Sequence, residues 1–214
     1  ALKLVSPDLL SSSEARERFR VEGRIASRIA HPRCVFVLAA DLDGAQPYIA
    51  MERMPGETLQ DRVERDGPLP VEEAVGRALD VLDGLREAHR LQVLHRDVKP
   101  SNCYLDASGR VKLGDFGIAR PMEGGSGLTR TGAFVGTPMY ASPEQLRGEA
   151  LDPRTDVYSL AATLFYLLVG RAPFQGDDLG ATIARILSDP CPDQRALRPE
   201  VPPGSGPRHF AFHP

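Results

Sequence analysis

His95-Arg96-Asp97-Val98-Lys99-Pro100-Ser101-Asn102 and, a little further on, Asp115-Phe116-Gly117 are the stretches whose reading decides the fold. Between them lie two short apolar runs, Cys103 to Leu105 and Val111 to Leu113, joined by the turn-forming Asp106-Ala107-Ser108-Gly109. That is the pattern of a β-hairpin. A hairpin folds its flanks toward each other, so the turn can bring Asp97, Lys99, Asn102 and Asp115 close together. Two carboxylates, a lysine and a carboxamide then converge. Phosphoryl transfer needs this set: a carboxylate to orient an attacking hydroxyl and accept its proton, hard oxygen ligands for Mg²⁺, and a cation for the moving phosphoryl.

Working toward the N-terminus, the apolar positions Val71, Val75, Ala78, Leu79, Leu82 and Leu85 trace an amphipathic helix that Pro70 can open. Val35 to Ala40 and Tyr48 to Met51 read as antiparallel strands turned at Asp43-Gly44. Before them, Phe19, Glu22, Ile25 or Ala26, and Ile29 recur at helical steps in a segment that Ser13 can cap and that ends at His31-Pro32. Residues 1–5 have strand character. Working toward the C-terminus, Asp156 to Val169 is a helix apolar nearly all round, which suits a central position, and Leu179 to Leu187 is a shorter one. The stretch from Pro199 to Pro214 is proline-rich and without periodicity.

A hydrophobic fraction of 42% and a charged fraction of 26% are ordinary for a globular chain. The net charge of −3, with both signs well mixed, argues against nucleic acid as a partner. Cys34, Cys103 and Cys191 are scattered and lack the paired spacing of zinc or redox motifs, so they read as reduced thiols. The longest apolar run, Leu160 to Val169, is about half of the ~20 residues a membrane span requires, so no span is expected in this chain.

In order and spacing the central motifs resemble those of the Ser/Thr protein kinases, in the style of the eukaryotic-like kinases of bacteria. By that resemblance Asp97 is the catalytic base, Lys99 contacts the transferring phosphate, and Asn102 and Asp115 hold Mg²⁺, with Mn²⁺ an alternative. Lysine two residues after the base is the Ser/Thr pattern. Ala1-Leu2-Lys3 resembles the end of the third small-lobe strand, making Lys3 the lysine on the α and β phosphates of ATP and Glu22 its partner on the C-helix. Tyr48 to Met54 resembles the strand entering the hinge, with Met51 as gatekeeper and the backbone of Glu52 and Met54 facing adenine. Ala1 and Tyr104 would close the adenine slot from above and below. Gly136 to Glu144 resembles the end of the activation segment, with Ser142 in place of a more usual alanine, a change expected to be harmless. Thr137 would bridge Asp97 and Lys99, while Thr129 and Thr131 are candidate phosphorylation sites with Arg96 as phosphate partner. Asp156 resembles the aspartate that anchors the catalytic loop.

The resemblance implies an α+β, two-lobed protein-kinase-like fold: a partial small lobe of antiparallel strands plus the C-helix, and a mainly helical large lobe. Residues 1–203 would form the partial domain, with 1–54 in the small lobe and hinge and 55–203 in the large lobe, followed by an unmatched tail at 204–214. The Gly-rich loop would precede Ala1, and the last large-lobe helices do not follow Gly204. No later arginine stands where the family pairs one with Glu144. The implied partners are a protein substrate with a Ser or Thr acceptor and a second copy for trans-autophosphorylation. A cytoplasmic location is expected, with any membrane anchor of the parent protein outside this sequence. Small-molecule phosphotransferases share a similar aspartate, asparagine and metal aspartate but not the Gly136 to Glu144 segment. The remaining alternatives are a partner-binding pseudokinase and an inactive fragment.

Overall fold

The computed structural model describes residues 1–4, 17, 24, 27–41, 47–116 and 138–202. Strands Leu2–Leu4 (β1), Val37–Asp41 (β2) and Tyr48–Met51 (β3) form an antiparallel sheet in the order β1-β3-β2. Lys3 sits opposite Ile49, and Ala40 opposite the same residue on the other side. A bulge between Val37 and Ala39 breaks the β2 register, and Leu38 there is 69% exposed. The antiparallel strand pair read from the sequence is therefore present, with its turn at Asp43-Gly44 outside the described residues. Of the helix expected between Ser13 and Ile29, only Glu17 and Arg24, both helical, are described before Ser27. Glu22 and the inner face proposed for it lie outside the described residues.

The large lobe begins with a helix the sequence reading passed over, Leu59–Asp66 (α1), which Thr58 opens with a capping box: its hydroxyl accepts from Asp61 N, and Asp61 accepts from Thr58 N. Val71–Arg90 (α2) follows, entered at Pro70 as expected. Its buried face overlaps the expected one only in part. Leu85 is buried and Val71 and Ala78 pack half-buried on the core, whereas Val75, Leu79 and Leu82 are exposed and the helix also buries Ala74, Asp80, Val81, Gly84 and Ala88. The reason is close approach. A Cβ at Gly84 would lie 2.8 Å from Arg33 O and 3.2 Å from Cys34 Sγ, so small residues sit beside Val81 and Leu85 on the packed face.

Cys103–Leu105 (β4) and Val111–Leu113 (β5) form the second hairpin with the limits read from the sequence, pairing Tyr104 with Lys112. Asp106 holds its turn by accepting from Ser108 N, Ser108 Oγ and Arg110 N, and Gly109 supplies the positive φ of 74°. Beyond the activation segment come Pro143–Arg147 (α3), Pro153–Val169 (α4), Leu179–Ser188 (α5) and the single turn Gln194–Leu197 (α6). Helix α4 runs through the centre, burying Leu160, Phe165, Tyr166, Leu167 and Leu168. The main core gathers around it from α1, α2, β4, β5 and Val201. Arg198 ties the chain after α6 into that core by donating to Leu69 O and Leu168 O. No helix among the described residues is long and apolar enough to cross a membrane. Cys34 and Cys103 are buried free thiols, and Cys191 is half-buried.

Candidate active site

The loop at residues 95–102 is held from below by one carboxylate. Asp156, in the first turn of α4 and fully buried, accepts from His95 N at 2.8 Å, Arg96 N at 2.7 Å and His89 Nε2 at 2.7 Å. Burial by itself raises the pKa of this carboxyl, but the His89 hydrogen bond and the two backbone amides outweigh it. Asp156 is therefore held below the usual carboxylate range, helped by the positive end of α4. The anchoring role expected of Asp156 is present in full, and His89, which the sequence reading missed, shares it. His89 also borders an open groove of about 910 Å³ on the outer side of α2, lined with Leu79, Leu82, Asp83 and Arg110. That groove lies apart from Asp97 and Asp115.

His95 is a packed residue and not a proton donor to substrate. Its Nδ1 accepts from Asp97 N at 3.2 Å, so the proton sits on Nε2 and is donated to Gly114 O at 2.9 Å. Burial lowers its pKa, against the charge of Asp156, and keeps the ring neutral. The ring rests against Phe116 with centroids 4.6 Å apart. Arg96 takes φ +63°, and this left-handed kink turns the chain at the base of the loop.

Two groups of side chains result. In the first, Lys99 Nζ lies 3.1 Å from Asp97 Oδ2, while Asn102 Nδ2 donates to Asp97 O at 2.8 Å and to Asp97 Oδ2 at 3.1 Å. In the second, Lys3 Nζ from β1 pairs with Asp115 Oδ1 at 2.7 Å, and Tyr104 Oη from β4 donates to Asp115 Oδ2 at 3.4 Å. The two are joined through the backbone, because Gly114 N donates to Asn102 O at 2.9 Å and Gly114 O accepts from His95. The convergence of Asp97, Lys99, Asn102 and Asp115 expected from the hairpin is thus present, with Lys3 added across the lobes.

The hinge is braced by a side chain. Glu52 Oε1 accepts from Phe36 N at 2.9 Å and from Lys112 Nζ at 2.6 Å, and Lys112 Nζ also lies 4.6 Å from the Phe36 ring centroid. Of the Glu52 backbone groups, the N–H is already given to Phe36 O. Ala1 O accepts from Met51 N, which places Ala1 beside Met51. Met54 follows along the hinge.

Ser142 is more than a tolerated replacement. It is buried and caps α3, its Oγ accepting from Gln145 N while Gln145 Oε1 accepts from Ser142 N. Gln145 Nε2 also donates to Arg96 O at 2.9 Å, so the cap is fastened to the catalytic-loop region. Glu144 is half-buried and accepts from Thr155 Oγ1 at 2.7 Å, so its carboxylate has a hydrogen-bond partner. Thr129, Thr131 and Thr137 lie outside the described residues.

The donors fit a hard divalent cation. Asp115 offers a carboxylate, and Asn102, with its amide nitrogen turned to Asp97, is left with its carboxamide oxygen. Among the described residues no cluster of three or more His, Cys, Asp or Glu could hold a metal. Mg²⁺ needs no such cage, since one or two protein oxygens plus phosphates suffice.

The protein kinase domain family matches residues 1–198. The chain is 40% identical over 197 residues to the serine/threonine-protein kinase PknB of Mycobacterium leprae (strain TN), covering 90% of this chain and 32% of that protein. It is 38% identical over 203 residues to the serine/threonine-protein kinase PknL of Mycobacterium tuberculosis (strain CDC 1551 / Oshkosh), covering 95% of this chain and 51% of that protein. The chain therefore belongs to the protein kinase domain family. It spans between about a third and about half of the length of these two relatives.

Proposed function

We propose that this chain is the catalytic domain of an ATP-dependent Ser/Thr protein kinase that moves the γ-phosphoryl of Mg-ATP to a protein hydroxyl. The observation that carries the proposal is the pairing of Asp97 with both Lys99 and Asn102, beside an Asp115 that is tied to the same loop through Gly114. Asp97 orients the acceptor hydroxyl and takes its proton, and Lys99 lies against the moving charge. Asn102 and Asp115 would hold Mg²⁺, which when bound neutralises charge on the phosphates. Lys3 serves the α and β phosphates and Glu22 pairs with it. Met51, the backbone of Glu52 and Met54, Ala1 and Tyr104 bound the adenine slot. Thr137 braces Asp97 and Lys99.

Thr129 and Thr131 are proposed as activation sites phosphorylated by a second copy, with Arg96 as the partner of the phosphate. The substrates are proteins with a Ser or Thr acceptor, and the domain works in the cytoplasm. We assign residues 1–54 to the small lobe and hinge, 55–203 to the large lobe and 204–214 to a tail. The intact polar set favours catalysis over a purely partner-binding role.

Intact-mass analysis with and without Mg-ATP, beside Asp97→Asn, tests the reading. Phosphate is expected on the unmutated protein, and the variant should lose at least about a hundredfold in transfer while still binding ATP. Equal turnover in the two would sink the assignment.

A further inference from the structure

We infer that Tyr104 is a positioning residue for Asp115: its phenol holds the carboxylate, and Gly114 exists at its position to let the phenol come near enough. The inference rests on the proposed role of Asp115 as a Mg²⁺ ligand. The wall role given to Tyr104 uses only its ring and leaves its hydroxyl unexplained.

Tyr104 lies in the middle of β4, opposite Lys112. Its ring passes so close to the chain before Asp115 that a Cβ at residue 114 would sit 2.8 Å from Cε2, with Val35 Cγ2 at 2.9 Å. Real Cβ atoms do not approach that closely, so only glycine fits between Tyr104 and Val35. The same approach carries the hydroxyl to 3.4 Å from Asp115 Oδ2. A phenol is protonated at neutral pH and so donates to the carboxylate.

Asp115 needs such support. Its backbone takes φ +56°, a sparsely populated conformation for a residue with a side chain, which persists only where its surroundings over-determine it. Among the described residues, two donors reach its carboxylate. Lys3 is a cation on Oδ1 and competes, charge against charge, with any metal ion at that oxygen. Tyr104 is neutral and sits on Oδ2, so it can orient the group without neutralising it. Outer donors of this kind tune metal affinity by fixing the ligand that touches the metal.

The test uses Mn²⁺ as a paramagnetic probe, titrated into the intact protein saturated with ADP and read by electron paramagnetic resonance. Tyr104→Phe keeps the ring and removes the donor. It is expected to weaken Mn²⁺ binding by about tenfold, the low end for a long bond, beyond any change in metal-free ADP affinity. The thermal unfolding midpoint should not move. Gly114→Ala should weaken Mn²⁺ in the same direction, and the two losses should overlap in the double variant, since both act through one contact. Equal Mn²⁺ affinity in Tyr104→Phe and the unmutated protein overturns the inference and leaves the kinase reading standing. An unmutated protein that binds ADP but no Mn²⁺ overturns the assignment of Asp115 and Asn102 as well.

Discussion

Asp80 and Asp156 are buried carboxylates whose charge is held by directed donors. Asp80 receives Arg110 from beyond the hairpin turn and Val111 N from β5, and Asp156 receives His89 and two backbone amides. In each, burial pushes the pKa up and the bonds more than offset it, leaving the folded value below the ordinary 3.8. The folded carboxyl then binds its proton less tightly than the unfolded one. Its stabilisation is complete above the unfolded value near 3.8 and is lost as pH falls through the lower folded value. Urea denaturation at steps from pH 6 to pH 3 should show stability falling below about pH 4. Asp80→Asn should flatten that fall, and an unchanged slope would reject the role of Asp80. Asp97 and Asp115 were legible as candidate site residues because they stand in ordered motifs. Gly114 and His89 were not, since a glycine before a motif and a histidine ending a helix carry no local signal. Their importance lies in what approaches them from elsewhere in the chain.

At the scale of elements, helix α2 shows how a bulk-weighted reading misjudges a face. Its period, its start at Pro70 and its buried Leu85 were legible, but the packed side is centred where backbones approach, and Ala74, Gly84 and Ala88 share it with Val81 and Leu85. This gives a paired expectation. Gly84→Ala places a Cβ 2.8 Å from Arg33 O, a backbone atom that cannot swing away, and should cost about 1–3 kcal/mol by overpacking. Gly76→Ala, on the same helix with nothing within 4 Å of its Cβ, should stabilise by up to about 1 kcal/mol through helix propensity. Equilibrium urea unfolding checks both, and equal effects at the two sites would show that propensity and not packing decides. The hairpin of β4 and β5 was legible to the residue because its turn chemistry is local: Asp106 and Gly109 shape it without help from afar. Helix α1 could also have been found, since Thr58 and Asp61 stand at capping-box spacing.

At the scale of the whole molecule, two side-chain ties cross between the small sheet or hinge and the large lobe. Lys3 reaches Asp115, and Lys112 reaches Glu52 and the Phe36 ring. Lys112 is only 13% exposed in its side chain, so its pair is better shielded than an ordinary surface bridge. Lys112→Met should free the hinge, and hydrogen exchange should quicken at the Phe36 and Glu52 amides while the α4 amides stay protected. Unchanged exchange at Phe36 would show that the backbone bond to Glu52 alone sets the hinge.

The sequence by itself determined the order of the strands and of helices α2, α4 and α5, the central hairpin and the identity of the polar set at Asp97, Lys99, Asn102 and Asp115. These follow from hydrophobic period, turn residues and motif spacing, all of which act over a few residues. Tertiary structure alone decided which face of α2 is buried and that Ser142 and Gln145 fasten the catalytic-loop region. It also decided that Asp156 shares His89 with that loop and that Tyr104 reaches Asp115 across Gly114. Those outcomes depend on how close distant backbones come, a distance set by the packing of the whole core around α4.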